Sequence, residues 1–134
     1  MAESKKCVLI IDDDKDVCQI IKVRFESLGY KVVTAYEGAE GFRKTEAEKP
    51  DCVLLDIRIP QGEDGLTYLR RIRSYCHDNL QEQSRVRKIP VIVLTAAGDA
   101  MKTVFEIEGI SGFIKKPFNI ASLHSKIQQI LGTQ

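Results

Sequence analysis

The sequence has no long hydrophobic run. Its apolar stretches span only about five to seven residues, far fewer than the roughly 20 that a bilayer-crossing helix needs, and the polar segment 1–6 lacks the apolar centre of a signal peptide. The four cysteines form no CxxC pair, and Cys7 and Cys52 lie in apolar runs, where a free cysteine behaves as a small hydrophobe. We therefore expect reduced cysteines, a cytoplasmic location and no contact with a membrane.

The chain also has almost no net charge and no internal boundary. Its 20 basic and 19 acidic side chains leave a formal charge of +1, so no global field attracts nucleic acid, and we expect no direct binding to it. Repeats, low-complexity tracts and Pro-, Gly- or Ser-rich linkers are absent from the sequence. With 134 residues, the chain is long enough to bury a core. We expect one domain over residues 1–134, with its core at about residues 5–131.

Short apolar runs predict five strands, each continuous enough to be buried on both faces. They are residues 7–11, 31–35, 52–55, 91–95 and 112–114. Between them, apolar residues recur with helical spacing, as in Val17, Ile20, Ile21, Phe25 and Leu28. A second helix is expected at about residues 38–48, and a last one after Pro117 with Asn119 as its N-cap. This alternation predicts an α/β protein with a doubly wound parallel sheet, whose ligands bind beyond the carboxyl ends of the strands.

One stretch breaks the even spacing of strands and helices. Residues 65–90 are largely polar, and the sequence there indicates a long loop or an extended helix. Its basic residues are Arg70, Arg71, Arg73, Arg85, Arg87 and Lys88. Aromatic residues that could stack on RNA bases are nearly absent, and Asp78 and Glu82 are interspersed. We therefore favour a solvated helix end over a basic nucleic-acid patch.

Carboxylates follow two of the predicted strands. Asp12 and Asp13 come directly after the first strand, and Asp56 comes after the third. Carboxylates that meet at one edge of a sheet repel each other, which favours a strong cation, and hard oxygen ligands with open positions suit Mg²⁺. Asp14 and Asp16 are interpreted instead as caps of the following helix. The sequence therefore predicts a divalent-metal site at this edge.

Four segments, in this order along the chain, carry a family resemblance. They read IDDD at 11–14, LDIRIP at 55–60, LTA at 94–96 and FIKKPF at 113–118. With these motifs, nearly the whole chain resembles the receiver domains of two-component response regulators, of the chemotaxis-regulator kind. The resemblance implies a flavodoxin-like (βα)5 fold with five strands in the order 2-1-3-4-5.

The resemblance also implies a phosphoacceptor site. Asp56 would accept a phosphoryl group from a sensor histidine kinase or a histidine phosphotransfer protein, while Asp12, Asp13 and the backbone carbonyl of Arg58 would help to hold Mg²⁺. Phosphoryl transfer needs charge neutralisation and placement more than covalent help from the protein. The chain would then be a signalling switch and not an enzyme.

Three further residues complete the site by resemblance. Lys116 and Thr95 would contact the phosphoryl oxygens, and Phe113 would turn inward behind Thr95, unless Phe113 is simply part of the core. These residues would link the site to a face that includes a helix at about residues 99–108. A downstream protein partner or an output domain would bind this face. The extension around Arg85 is expected to be a constant contact that does not respond.

Two other functions remain as alternatives on the same topology. A phosphatase with an aspartate nucleophile usually carries a second Asp two residues on as the general acid, but Arg58 stands there. In a flavodoxin-like carrier, the FMN phosphate would meet the acidic segment 12–14 instead of an anion-binding loop. The loop from Pro60 to Gly65 is one residue longer than the receiver family usually has, so its contacts are not predicted.

Overall fold

The computed structural model describes residues 5–56, 65–95 and 109–132, with the backbone alone at Thr95. The strands are β1 (Cys7–Ile11), β2 (Lys31–Ala35), β3 (Cys52–Asp56), β4 (Val91–Thr95) and β5 (Gly112–Lys115). The helices in the described ranges are α1 (Lys15–Ser27), α2 (Gly38–Glu48), α3 (Gly65–Arg73), α4 (Leu80–Arg87) and α5 (Ile120–Leu131). Each of these helices is too short or too polar to cross a membrane.

The five strands form one parallel sheet in the order β2-β1-β3-β4-β5. The predicted fold class and strand order are confirmed. Strands β3 and β5 each extend one residue beyond the predicted ranges, to Asp56 and Lys115. Because every strand runs in the same direction, their carboxyl ends lie at one edge of the sheet. Asp12 after β1, Asp56 at the end of β3 and Lys116 after β5 therefore meet at that edge.

Two hydrophobic cores lie on opposite faces of the sheet, because successive strand residues point to opposite sides. One core joins the sheet to α2, α3 and α4, and its fully buried members include Leu9, Leu55, Tyr68, Leu69, Ile72 and Val86. The other joins the sheet to α1 and α5, and its fully buried members include Val8, Ile10, Leu54, Phe25, Leu123 and Ile127. The central strands are thus covered on both faces, as their continuous apolar runs predict.

Helix α1 begins at the acidic segment that follows β1. The side chain of Asp14 is the N-cap and accepts hydrogen bonds from the backbone N–H groups of Asp16, at 3.0 Å, and Val17, at 3.2 Å. The predicted capping role of Asp14 is confirmed. The helical spacing predicts Ile20 and Leu28 on the buried face, but they are 58% and 41% exposed. The buried face is centred on Cys18, Ile21 and Phe25, which leaves Ile20 at its flank.

Helix α4 is an additional element between α3 and β4. The polar stretch, expected as a long loop or an extended helix, contains a separate short helix after the end of α3. Asn79 caps it by accepting from the backbone N–H of Glu82 at 3.0 Å. Val86 is the one residue of α4 that is fully buried, and Ile89 follows it into the same core. A single apolar anchor therefore seats an otherwise polar helix.

All four cysteines are free thiols. Cys7, Cys18 and Cys52 are buried, whereas Cys76, between α3 and α4, is exposed. Burial raises the pKa of the Cys7 thiol, and it raises the pKa of Cys18 and of Cys52 to about 12. The buried thiols are therefore protonated and unreactive near neutral pH.

The packing of α4 predicts that two substitutions in that helix lower the free energy of unfolding by different amounts. Val86→Ala should lower the free energy of unfolding by about 1 to 3 kcal/mol, because it empties part of a buried site. The control Leu80→Ala, at a side chain that is 72% exposed, should change it by less than about 0.5 kcal/mol. Urea denaturation measures the free energy of unfolding of both variants. Equal losses would show that Val86 does not hold α4 against the core.

Candidate functional site

The structure brings together the three carboxylates that the sequence places at strand ends. Asp12 follows β1, Asp13 is next to it, and Asp56 is the last residue of the neighbouring strand β3. One carboxylate oxygen from each lies within 4.8 Å of the others. Asp12 is fully buried and Asp56 is 5% exposed, whereas Asp13 is exposed. The cluster therefore has two buried acids and one that faces solvent.

Lys116, just after β5, contributes a positive charge to this cluster. Its Nζ lies 2.9 Å from Asp12 Oδ2 and 3.6 Å from Asp56 Oδ2. Burial disfavours the charged ammonium, but the hydrogen bond to Asp12 and the charges of both carboxylates outweigh burial and raise the pKa of Lys116 above its ordinary value. Lys116 is therefore positively charged at neutral pH. Its neighbour Lys115 is exposed.

Asp12 is fixed by contacts from several parts of the chain. Its backbone N–H donates to the carbonyl of Ala35 at 3.0 Å, and its Oδ1 accepts from the backbone N–H of Asp14 at 2.9 Å. The thiol of Cys18 donates to its carbonyl at 3.3 Å. With Lys116 on Oδ2, both carboxylate oxygens have partners. The contacts of Ala35 and Cys18 were not predicted, because residues of these types form no motif with an aspartate.

The charges of the cluster are not balanced by its own residues. In the part of the chain that the structure describes, three carboxylates and one ammonium give this cluster a formal charge of −2 when all three acids are ionised. Carboxylate oxygens grouped within a few ångströms are the donor set that hard divalent cations prefer. Asp12, Asp13 and Asp56 could therefore hold such a cation.

The other residues that the sequence assigns to the site are only partly described. Arg58 lies outside the described residues, and so does the side chain of Thr95, whose backbone ends β4 beside Lys115. Phe113 is in β5, opposite Val93, and packs partly buried against the core that contains Leu55 and Tyr68. Its position in contact with this core agrees with both interpretations of its role.

The family of the chain follows from a match that covers most of its length. The family model of the response regulator receiver domain matches residues 8–128. The chain belongs to this family. It is 34% identical over 130 residues to the probable transcriptional regulator ycf27 of Guillardia theta, covering 96% of this chain and 46% of that protein. It is 29% identical to the transcriptional regulatory protein PhoP of Bacillus subtilis, covering 94% and 48%. The chain spans about half the length of the curated relatives it matches.

Solved receiver structures have the same fold. The chemotaxis response regulator CheY4 of Vibrio cholerae superimposes with a TM-score of 0.81 at 25% identity, covering 95% of this chain and 99% of that one. The receiver domain of sensor histidine kinase PA1611 from Pseudomonas aeruginosa gives a TM-score of 0.81 at 28% identity, covering 97% and 100%. That structure has a magnesium ion coordinated in its active site cleft.

Gly65, which in the sequence marks only the end of a loop, lies beside Asp56 in this receiver domain. It begins α3 and packs against the backbone of the strand that ends in Asp56. A Cβ atom at position 65 would lie 2.9 Å from the Asp56 carbonyl oxygen and 3.5 Å from Leu55 Cγ. A side chain would therefore push on the backbone of Asp56 itself. No sequence pattern signals this contact.

This close approach predicts whether replacing Gly65 by alanine raises or lowers the stability of the fold. In an open helix, Gly→Ala stabilises by up to about 1 kcal/mol, but Gly65→Ala should destabilise by about 1 to 3 kcal/mol, because the new methyl group meets backbone. Denaturant unfolding gives the sign directly. A stabilised Gly65→Ala variant would show that α3 does not approach Asp56 this closely.

Proposed function

We propose that the chain is a phosphorylation-dependent switch of a two-component phosphorelay, and that Asp56 accepts the phosphoryl group. Receiver domains as a family are phosphoacceptor switches and not classical enzymes. The observation that carries the proposal is the placement of Asp56 at the carboxyl edge of the sheet, within reach of both Asp12 and Lys116. The donor would be a sensor histidine kinase or a histidine phosphotransfer protein.

The residues of the cluster fit the chemistry of this transfer. The Asp56 carboxylate would form the new O–P bond while the N–P bond of a phosphohistidine breaks, and the electron pair stays on the imidazole nitrogen. Lys116 Nζ, already 3.6 Å from Asp56 Oδ2, would then bind a phosphoryl oxygen. Mg²⁺, held by Asp12, Asp13, Asp56 and the Arg58 carbonyl, would neutralise charge on the phosphoryl oxygens. The magnesium ion in the Pseudomonas aeruginosa receiver structure supports this assignment.

Phosphorylation would be read at the β4–β5 side of the sheet. A phosphoryl group adds about 1.5 to 2 negative charges and new acceptor oxygens, which bias an equilibrium between two arrangements. Thr95 and Phe113 lie on the adjacent strands β4 and β5. The Thr95 hydroxyl would turn to the phosphoryl group and Phe113 would turn inward. A downstream protein or an output domain would bind the changed face.

The surface beside Lys116 suits the docking of the donor. An apolar depression of about 600 Å³ lies there, lined by Val17, Ile20, Ile21, Lys116, Pro117, Phe118 and Ile120. Ile20 projects from α1 at its rim and is 58% exposed. A donor must bring its phosphohistidine in line with Asp56, so its binding surface has to lie next to the site. We propose that the donor covers this depression with apolar side chains.

The phosphoacceptor assignment predicts metal-dependent labelling at one residue. With a small phosphodonor such as acetyl phosphate and Mg²⁺, the intact mass should increase by one phosphoryl group, and peptide mapping should locate it on Asp56. Asp56→Asn and excess EDTA should each abolish labelling. Asp13→Asn should raise the Mg²⁺ requirement at least about tenfold, a loss typical of changes at a metal site.

The control for this experiment is Asp14→Asn. Asparagine caps helices as well as aspartate, and Asp14 caps α1 outside the carboxylate cluster. Its Mg²⁺ requirement should therefore match that of the parent. If Asp56→Asn labels as well as the parent, or if labelling persists without divalent metal, Asp56 is not the acceptor.

The docking surface predicts a loss that depends on the donor. Ile20→Glu should slow phosphotransfer from a histidine phosphotransfer protein roughly tenfold or more, because it places a charge where apolar contact is needed. Labelling by acetyl phosphate should not change, because Ile20 is not part of the carboxylate cluster. The matched control is Val23→Glu, also on α1 and 53% exposed, which does not line the depression. Stopped-flow rates with both donors would show whether Ile20 and Val23 differ; equal losses would rule out this site.

A further inference from the structure

Strand β5 is held at both of its ends. Among the five described strands it is at the edge of the sheet and pairs with β4 alone. Its side chains are only partly buried or exposed, whereas those of β1 and β3 are all buried. Lys116 joins its carboxyl end to Asp12 and Asp56. With one neighbouring strand and a shallow core contact, the position of β5 depends strongly on the contacts at its two ends.

The amino end of β5 is held by Arg73, the last residue of α3. Its guanidinium donates to the carbonyl of Gly109 through Nε at 3.0 Å and through Nη2 at 2.7 Å. The same guanidinium donates through Nη1 to the carbonyl of Arg87 at 3.0 Å. Gly109 has a φ of +90°, and Ser111, two residues on, donates to the Val91 carbonyl at 2.8 Å as β5 begins. Arg73 therefore fixes main chain, because backbone carbonyls accept all three bonds.

Arg87 is the last residue of α4, and the end of this helix is itself well anchored. The final carbonyls of a helix have no intrahelical partner, so the bond from Arg73 satisfies one of them. The Arg87 side chain donates back to the carbonyl of Tyr75 at 2.6 Å, and the adjacent Val86 is fully buried. A movement of Gly109 relative to α3 must therefore break the bonds of Arg73 or be passed on to the end of α4.

We propose that Arg73 is a positioning residue of the switch, which couples the inserted helix α4 to the state of Asp56 through β5. The inference rests on the proposed function of Asp56. When Lys116 leaves Asp12 and binds a phosphoryl oxygen instead, the position of β5 changes. Gly109 then moves relative to α3, and the hydrogen bonds of Arg73 transmit this movement to Arg87 at the end of α4. This proposal differs from the expectation, made from the sequence, that the extension around Arg85 is a constant contact, and the experiment below distinguishes the two. Because coupling is reciprocal, a partner bound to α4 would change the affinity of the Asp56 site for its ligand.

The coupling depends on the guanidinium of Arg73, which donates to two backbone carbonyls at once. A guanidinium presents donors in a fixed plane and can bind two carbonyls at once, whereas the ammonium of lysine is a point charge. Arg73→Gln should therefore disconnect α4 from β5, and Arg73→Lys should do so in part. Arg71 offers a control on the same helix, since its guanidinium lies over the ring of Phe42, 3.8 Å from the ring centroid.

The test is a titration of the full chain with BeF₃⁻ and Mg²⁺, followed through backbone amide chemical shifts. In the parent, the amide chemical shifts of Gly109, Arg87 and Lys88 should change at the same BeF₃⁻ concentration as the amide chemical shift of Asp56. In Arg73→Gln, the shifts at Arg87 and Lys88 should fall by at least half. The BeF₃⁻ concentration at the midpoint of the titration should also fall about fivefold, which is the low end of typical coupling. The reason is that the bonds of Arg73 stabilise the arrangement in which Lys116 pairs with Asp12.

The outcomes separate this proposal from the proposed function. If no amide of the parent responds to BeF₃⁻, the phosphoacceptor assignment fails, and the coupling fails with it. If the parent responds but Arg87 and Lys88 stay silent, or if Arg73→Gln keeps the parental midpoint, Arg73 is only a structural contact. Urea denaturation confirms that the variant is folded, and Arg71→Gln should behave as the parent does. Should Arg73→Gln not fold, the parental shifts and Arg73→Lys decide the same question.

Discussion

Lys116 and the carboxylates around it impose the strongest constraint on this fold. Its ammonium lies 2.9 Å from Asp12 and 3.6 Å from Asp56, and Lys116 follows β5, a strand that is not adjacent to either β1 or β3. Buried like charges repel each other, so the apolar strands on which they stand must hold them in place. The fully buried residues of β1 and β3 do so. The sheet therefore offsets the cost of holding these charges close together.

Much of this arrangement could be predicted from the sequence because the strands are short, apolar and separated by helices. Every predicted strand is present, α2 has its predicted bounds, and Asp14 caps α1. Asp12, Asp13 and Asp56 meet because parallel strands bring their carboxyl ends to one edge. These features depend on local sequence patterns, which can be read directly, and on the rule that parallel strands end at one edge of the sheet.

The parts that escaped prediction depend on contacts between distant residues. Helix α4 buries Val86 alone, so it has no apolar periodicity to reveal it, and only Asn79 gives a local signal. Ile20 follows the helical spacing of α1 but lies beyond the area that the sheet covers. Gly65 fits against the carbonyl of Asp56, and Arg73 reaches Gly109, 36 residues away. No spacing rule encodes such contacts, because they arise from packing in three dimensions.

The distribution of the thiols has a practical consequence. Three cysteines are buried, and burial keeps them protonated, while Cys76 is exposed with its Sγ 3.6 Å from the Arg87 guanidinium, at the end of α4. The natural sequence thus provides a single attachment point for a thiol-reactive dye or spin label, without removal of any other cysteine. A reporter at Cys76 would sit where the inserted helix meets α3, so the unmodified sequence can be followed optically or by electron paramagnetic resonance.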